Sequence, residues 1–433
     1  MDPADLTHLL RRTEFVVHPA RFDALVAGTP EAAVDDILDI ARNGTMDLPL
    51  EFQSEGPNSW EQYVAASGWW VTQMLTRPRP FVEKMVLFWH GHFTSSWWEI
   101  DAGYQMMTQL QGYRVRALGD FRELTQMMAV SEAMLVYLSN AFNKAASPNQ
   151  NFARELMELF TLGVGNYTED DVVAAARAWT GHNYNSTTQR YEYRDTQHDK
   201  NLKTFFGTTK NWDGPDIIDE ILRDNAGKRA IAARFIATKL WEFLAHPVPP
   251  PGVVDALTIE FLSSGLSIRA LVRAILLRPE FYATAAKQGL VRTPIEYMVA
   301  VCHHSGLTPG QLGVSWRSGN MGQSFFNPPN VSGWKHNGYW LNTSAMNGRA
   351  DLARGATYEL RRNGGYDNLY AMTAADAVDF CAQQFGIHPL SSVTRDARIA
   401  AHTAERETVR WDNWWAPTNL LTMIMLTPEF HQA

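Results

Sequence analysis

The feature that most constrains this chain is the recurrence of apolar residues at every third or fourth position, which is the period of an α-helix. Phe81, Val82, Met85, Val86 and Trp89 follow this spacing. Helix-start signals accompany the pattern. The segment Thr293-Pro294-Ile295-Glu296 combines an N-cap, a proline at the first helical position and a glutamate that closes a capping box.

The same reasoning predicts a mostly α fold. Thr168 and the acidic residues that follow it begin one helix. Further helices are predicted at 4–11, 20–27, 30–42, 60–76, 104–116, 120–129, 150–162, 215–223, 228–245, 252–263, 267–277, 369–384 and 416–426. Strand signals are weak, and the alternation across 190–194 indicates one arm of a hairpin. We therefore predict a multi-helix globular architecture with long irregular loops, at 181–213 and 306–348, and at most a small β-hairpin.

Composition narrows the class of protein. The chain has 433 residues, 45% hydrophobic and 19% charged, so it can bury a large core. We predict a single large helical domain over 1–433, with a possible division into halves at 1–213 and 214–433. The net charge of -8, without a basic run, argues against nucleic-acid binding. Cys302 and Cys381 are expected to be reduced core thiols, although one bridge is possible.

Targeting signals are also informative. No apolar stretch reaches the length of a membrane span. The first residues form neither a basic region nor an apolar region of a secretory signal. The chain as given is therefore expected in the cytoplasm, or outside it if a leader has been removed.

The segment 149–163 carries the first candidate chemistry. On a helix, Asn151, Glu155 and Glu158 line up beside an apolar face at i, i+4 and i+7. Two carboxylates one turn apart can bind a metal or share a proton. The structural alternative is that Arg154 and Glu158 form an ordinary i,i+4 pair.

Other polar residues in apolar surroundings add to the candidates. His92 falls near the apolar face of its helix, where a histidine is either a hydrogen-bonded core residue or a ligand. His198 stands beside Asp199 in an aromatic loop, as a candidate ligand or base. Arg177 at a helix end either neutralises the helix dipole or clamps an anionic substrate.

Aromatic residues mark a candidate binding wall. The chain has 15 Trp. Trp334 and Trp340 lie in a loop that begins with Pro328-Pro329 and leads to Arg349. These rings either stack on a flat ligand or fill a gap in the core. The sequence lacks a phosphate-binding glycine loop, a Gly-x-Ser-x-Gly elbow, His-Glu-x-x-His and paired Cys-x-x-Cys, so the reactions that depend on them lose support.

These segments, in this order, resemble the bacterial domain of unknown function 1800 family over nearly the whole chain. The resemblance rests on the segments His8–Phe15, Phe88–Phe93, Asn151–Leu159, Tyr167–Gly181, His198–Gly207, the helix around Arg234–Ala237, the helix start at Pro294 and Gly333–Trp334. This chain departs from many members at Val16 (usually Gly), Phe160 (often His) and His182 (often Trp). The departure at Phe160 weakens a metal site built on that position. The family often occurs beside a sulfatase-like protein, which implies a partner of that kind and work on glycans or the cell envelope.

Two functional hypotheses follow. The first is an enzyme, a metal-dependent hydrolase or oxidoreductase acting on a polar or glycan-like small molecule. Its catalytic and metal-binding residues would be His92, Glu155, Glu158 and His198, around one divalent metal. Its substrate-binding residues would be Asn151, Arg154, Arg177, Trp334, Trp340 and Arg349. The alternative is a non-catalytic protein that binds a glycan or another protein through its aromatic loops.

Overall fold

The computed structural model describes residues 1–44, 47–52, 60–185, 187–363, 366–387, 390–408 and 415–433. Most of them lie in helices, which confirms the predicted fold class. The α-helices of the first half are α1 (Pro3–Glu14), α2 (Pro19–Val26), α3 (Pro30–Leu38), α4 (Trp60–Thr76), α5 (Phe81–His92), α6 (Trp97–Ile100), α7 (Gly103–Val115), α8 (Phe121–Ala129), α9 (Glu132–Tyr137), α10 (Asn151–Glu155) and α11 (Glu169–Ala178).

Two hairpins separate these helices from the second set. Strand β1 (His182–Asn185) pairs antiparallel with β2 (Arg190–Tyr193), and β3 (Lys203–Phe205) pairs with β4 (Thr208–Lys210). The first hairpin confirms the predicted arm at 190–194, and the second was not predicted. The later α-helices are α12 (Gly214–Asp219), α13 (Ala226–Leu244), α14 (Val253–Ser263), α15 (Ile268–Leu276), α16 (Pro294–Ser305), α17 (Val314–Asn320), α18 (Thr343–Arg362), α19 (Ala374–Gln384), α20 (Ser392–Thr408), α21 (Trp415–Met425) and α22 (Pro428–His431).

The predicted helix starts are present in the structure. Thr168 accepts from the backbone N–H of Asp171 while the Asp171 carboxylate accepts from the Thr168 N–H, so the two residues form a capping box. Thr293 and Glu296 form the same reciprocal pair at the start of α16. Each box satisfies two of the backbone donors that a helix start leaves unpaired.

Two long helices were missed. Helix α18 begins inside the segment 306–348 that was predicted to be irregular, and α17 lies wholly within it, so that prediction was too broad. Half of the buried residues of α18 are small, namely Ala345, Gly348, Ala353 and Ala356. Small residues carry little apolar periodicity, although they allow neighbouring helices to approach closely. Helix α20 has a similarly alanine-rich, polar sequence.

The helix predicted at 150–162 changes its geometry in the middle. Helix α10 ends at Glu155, and a π-helical turn continues from Leu156 to Thr161. In this turn the N–H of Leu162 donates to the carbonyl of Met157, five residues earlier, at 2.8 Å. Wide turns of this kind are frequent at functional sites.

Two further predictions concern membrane-spanning helices and the two cysteines. No helix in the described ranges is both long enough and apolar enough to cross a membrane. Cys302 and Cys381 are both buried and free, as expected for core thiols. The division of the chain into two halves stays a prediction.

Helix α5 lies at the centre of the core. Every one of its residues except Gly91 is buried. It packs against α1, α4 and α7. An enclosed helix has no solvent face, so polar side chains on it are costly without a partner inside the protein. Glu83, Lys84 and His92 have such partners, whereas neither ring nitrogen of His90 has one.

Glu83 of α5 finds three such partners. Arg114 of α7 donates to both carboxylate oxygens at 2.7 and 2.9 Å, Arg77 donates at 2.6 Å, and the indole of Trp70 donates at 2.9 Å. Burial alone would raise the pKa of Glu83, but Arg114 and Arg77 outweigh burial and hold this pKa below its usual value. The carboxylate therefore stays charged and joins α5 to α4 and α7.

Replacing Glu83 should be strongly destabilising. In Glu83→Gln the guanidinium of Arg114 remains buried without its counter-charge, and we expect the free energy of unfolding to fall by about 3–5 kcal/mol in urea denaturation. Asp351→Asn is the control, because the Asp351–Arg354 pair lies on the surface, and its urea midpoint should stay near wild type. Equal midpoints for the two variants would contradict the assigned role of Glu83.

Candidate functional site

A cavity of about 240 Å³ opens at the end of α5. Helix α5 forms one side, α13 forms a second side, and the segment from Gln323 to His336 closes it. The lining residues are Leu87, Phe88, Gly91, His92, Lys239, Glu242, Phe243, Thr293, Gln323, Ser332, Trp334, Lys335 and His336.

Two glycines allow the closing segment to reach α5. A Cβ atom on Gly333 would stand 2.0 Å from the carbonyl oxygen of Gly91. Gly333 also has a φ of +81°, a conformation that residues with a side chain rarely adopt. This contact places the Trp334 ring over Gly91, with its centroid 5.2 Å from that of the buried His90. Trp334 therefore forms a fixed wall of the cavity.

His92 meets the end of the π-helical turn on another side. Its Nε2 donates to the carbonyl of Phe160 at 3.0 Å. Because a carbonyl only accepts, the ring proton lies on Nε2 and Nδ1 carries a lone pair. Burial, followed by the charge of Lys239, lowers the pKa of His92 well below its ordinary value. The imidazole is thus neutral, with an acceptor atom directed at Lys239.

Lys239 of α13 lies against this acceptor. Its Nζ is 3.4 Å from Nδ1 of His92 and 3.5 Å from the carbonyl of Leu159. The carbonyl groups at a helix end carry partial negative charge, which favours an ammonium. Burial lowers the pKa of Lys239 to about 8, although the carboxylate of Glu242 acts in the opposite direction. Lysines with pKa values in this range exchange protons readily near neutral pH.

Uncharged donors complete the wall. The side-chain oxygen of Gln323 accepts from the N–H of Ile295 at 3.0 Å, which leaves its amide nitrogen as the donor for the cavity. The Thr293 hydroxyl accepts from the N–H of Glu296 and so has its own proton to donate. The cavity therefore combines one aromatic wall, a lysine with a lowered pKa and two neutral donors, as small-molecule sites commonly do.

The predicted carboxylate pair lies on a different surface. Glu155 and Glu158 are both half-buried. Burial, and then the charge of Glu158, raises the pKa of Glu155. The hydroxyl of Tyr167 donates to Glu158. Arg154 forms its ion pair with Glu169, with both contacts at 2.7 Å, rather than with Glu158 as the structural alternative predicted.

His198 also has other partners than those expected. Its Nδ1 donates to the carbonyl of Thr180 at 2.8 Å and lies 3.9 Å from the carboxylate of Asp213. The same carboxylate accepts from Nε2 of His182 at 2.8 Å. The adjacent Asp199 binds Arg177 instead, at 2.7 Å. Arg177 also lines a separate, open groove.

The predicted metal ligands are not gathered in one place. Among the residues with a described position, no three or more His, Cys, Asp or Glu side chains form a group that could hold a metal ion. Both ring nitrogens of His92 already face other groups, a carbonyl and an ammonium. The set His92, Glu155, Glu158 and His198 therefore does not form a single metal centre among the described residues.

The predicted substrate-binding residues are also dispersed. Trp334 lines the cavity together with His92. Trp340 is 1% exposed and Arg349 is fully buried, with its guanidinium donating to the carbonyl of Arg292 at 2.6 Å. Asn151 is exposed at the start of α10. Of the residues predicted for the site, His92 and Trp334 line this cavity, and the predicted roles stay predictions.

Lys239 is the residue that the sequence analysis overlooked. It lies on a helix that was predicted, at 228–245. It follows the buried Ile236 by three positions and precedes Phe243 by four, so it shares the edge of the apolar stripe. A single lysine at such an edge is a signal for a buried amine, although a lysine that extends to solvent gives the same pattern.

Comparison with known proteins gives one match. The model of a family described as "Protein of unknown function (DUF1800)" matches residues 8–432. No curated protein and no solved structure matches the chain.

The contact between Gly333 and Gly91 can be tested by substitution. Gly333→Ala adds a methyl group where the backbone of α5 already stands, in a conformation unsuited to alanine. We expect the free energy of unfolding to fall by about 1–3 kcal/mol. Gly338→Ala is the matched control, because a Cβ there meets nothing within 4 Å. If both variants show the same urea midpoint, the close approach is not as described.

Proposed function

The chain belongs to the DUF1800 family, and from the cavity at the end of α5 we propose that it is an enzyme that transfers a proton to or from a small polar substrate. Lys239 is the proposed catalytic residue. The observation that carries the proposal is the placement of its amine in a cavity, 3.4 Å from a neutral imidazole acceptor.

His92 acts as a positioning residue in this proposal. Its lowered pKa keeps the ring neutral, so it does not compete with Lys239 for the proton. Its Nδ1 accepts from the ammonium and holds one N–H bond in a fixed direction. The remaining N–H bonds of Lys239 are then left for the carbonyl of Leu159 and for a substrate. Such fixed geometry is what general acid–base catalysis requires.

The size of the cavity suggests the class of substrate. A space of about 240 Å³ suits a molecule no larger than a sugar ring or a small organic acid. The Trp334 ring offers a flat apolar face, and Gln323, Thr293 and Lys335 offer donors. A compact substrate with one flat side and several oxygen atoms matches this wall.

A surface feature favours a second candidate, glycan binding without turnover. Trp60 and Trp98 are about half exposed and flank the ring of Tyr63. The ring centroids lie 5.3 Å apart for Trp60 and Tyr63, and 5.2 Å apart for Tyr63 and Trp98. Rings exposed in this way present apolar faces to a sugar. A glycan that is retained but unchanged by the protein, and released by Trp98→Ala, would support this candidate.

The first test is the titration of Lys239. Competitive acetylation across pH 6–11, followed by peptide mass spectrometry, should give half-maximal reactivity of Lys239 near pH 8. The pKa of an unperturbed lysine is about 10.4. Glu242→Gln should lower the pKa of Lys239 further, because it removes the charge that favours the ammonium. Glu260→Gln, on the neighbouring helix α14, should leave the pKa in place. A midpoint near the unperturbed value would remove the basis for proton transfer.

The second test is turnover. The full chain is incubated with a bacterial metabolite extract, and untargeted mass spectrometry identifies the small molecules that decrease and the products that appear. Lys239→Met should abolish the change, by at least a hundredfold in rate. Lys200→Met, at an exposed ion pair with Asp195, should behave as wild type. No change with wild type, or an equal change with Lys239→Met, would contradict the proposal.

A further inference from the structure

The interior next to the cavity contains a surplus of basic side chains. Arg11, Arg12, Lys84, Arg292 and Arg349 are all buried, with exposed fractions between 0% and 7%. Buried charges are usually matched by charges of opposite sign, because burial without a partner is costly. A group of five cations therefore calls for several carboxylates.

Only one of these cations has a carboxylate partner among the described residues. Lys84 contacts Glu296 of α16. The arginines donate instead to backbone carbonyls. Arg12 donates to Ala245 and Ala286, and its Nε is buried without a hydrogen-bond partner. Arg292 donates to the carbonyl of Phe430, and its Nε also lacks a partner.

The electrostatic consequence is visible at the arginines. Burial, with a smaller opposing effect of Glu296, lowers the pKa of Arg12 to about 9. Burial and the charge of Arg11 lower the pKa of Arg292 to about 9. The single carboxylate of Glu296 therefore does not compensate the positive charge around it.

A small inner chamber lies at this position. Its volume is about 30 Å³, and its walls include Arg12, Lys84, Glu296 and Asn337. It shares Glu242, Phe243, Thr293 and His336 with the larger cavity. The rings of Phe243 and His336, whose centroids are 6.3 Å apart, belong to the common wall. The chamber therefore adjoins the cavity that contains Lys239, and the two share a wall.

We propose that this inner chamber binds the carboxylate group of the substrate, between Arg12 and Lys84, while the rest of the substrate occupies the cavity beside Lys239. The proposal rests on the proposed function for the position of the remaining substrate atoms. Arg12 and Lys84 supply positive charge at the chamber wall, and the hydroxyl of Thr293 supplies a donor. Two carboxylates line the chamber. Glu296 does not exclude the anion, since its two oxygens already bind Lys84 and the N–H of Thr293, and the charge of Glu242 acts on the ammonium of Lys239.

The size of the chamber selects the kind of anion. The chamber measures about 30 Å³, and a single water molecule needs about 10–15 Å³ of such space. So little room favours a planar, two-oxygen group over a bulkier tetrahedral one. A carboxylate fits this description, whereas a phosphate or sulfate does not. The proposed enzyme therefore acts on a small organic acid.

The test uses acetate as the probe and isothermal titration calorimetry on the full chain. Wild type should bind acetate, and inorganic phosphate should bind at least tenfold more weakly. Arg12→Gln should weaken acetate binding at least tenfold. Arg11→Gln is the matched control, since it is the adjacent buried arginine, donates to the carbonyl of Gly386 and lies outside the chamber. It should change the dissociation constant less than twofold.

A second measurement keeps the proposal testable if Arg12→Gln fails to fold. Wild-type crystals soaked in sodium bromide should show an anomalous peak between Arg12 and Lys84. The proposal is overturned by bromide at the surface alone, by phosphate binding as tightly as acetate, or by equal effects of the two arginine variants. Lys239→Met should retain acetate binding, so a failure of proton transfer would leave this site intact and the two proposals fail separately.

Discussion

The arrangement of the helices around α5 depends on one constraint, the burial of two opposite charges on the side chains of that helix. Glu83 and Lys84 are consecutive and both buried, yet each faces a different neighbour. Glu83 binds Arg114 and Arg77, and Lys84 binds Glu296. Pairs of this kind contribute little net stability compared with apolar packing, but leaving one member unpaired is expensive. Their effect is therefore to specify which helices surround α5 and in which orientation.

The cavity follows from that orientation. Once α5 is fixed by its ion pairs, its last turn presents Gly91 and His92 to the same side. Gly91 admits the backbone of Gly333, and His92 reaches the end of the π-helical turn. Three segments that are far apart in sequence meet at this point. Lys84 and its partner Glu296 line the inner chamber beside it, so the groups that orient the helix also border the proposed ligand.

Sequence reasoning recovered the parts of the fold that have local causes. Helix α4 was predicted at its observed limits, 60–76, and the boxes at Thr168 and Thr293 lie where the cap residues indicated. Helix α18 was missed because alanine and glycine make up half of its buried residues and weaken the apolar pattern. The site was harder to predict, since the proposed role of Lys239 depends on the carbonyls and imidazole that the fold brings to it. The sequence analysis placed Glu155 and Glu158 on a regular α-helix. In the structure a π-helical turn replaces that geometry after Glu155.

The π-helical turn also has an implication for protein engineering. A turn of this kind is equivalent to one extra residue accommodated within a helix. A chain shortened by one residue between Leu156 and Thr161 could form an uninterrupted α-helix with better backbone geometry. That shortening would rotate the carbonyl of residue 160 away from the imidazole it now binds. Selection for thermostability would thus favour this deletion, whereas selection for an intact site would oppose it. Such trade-offs between stability and activity are common.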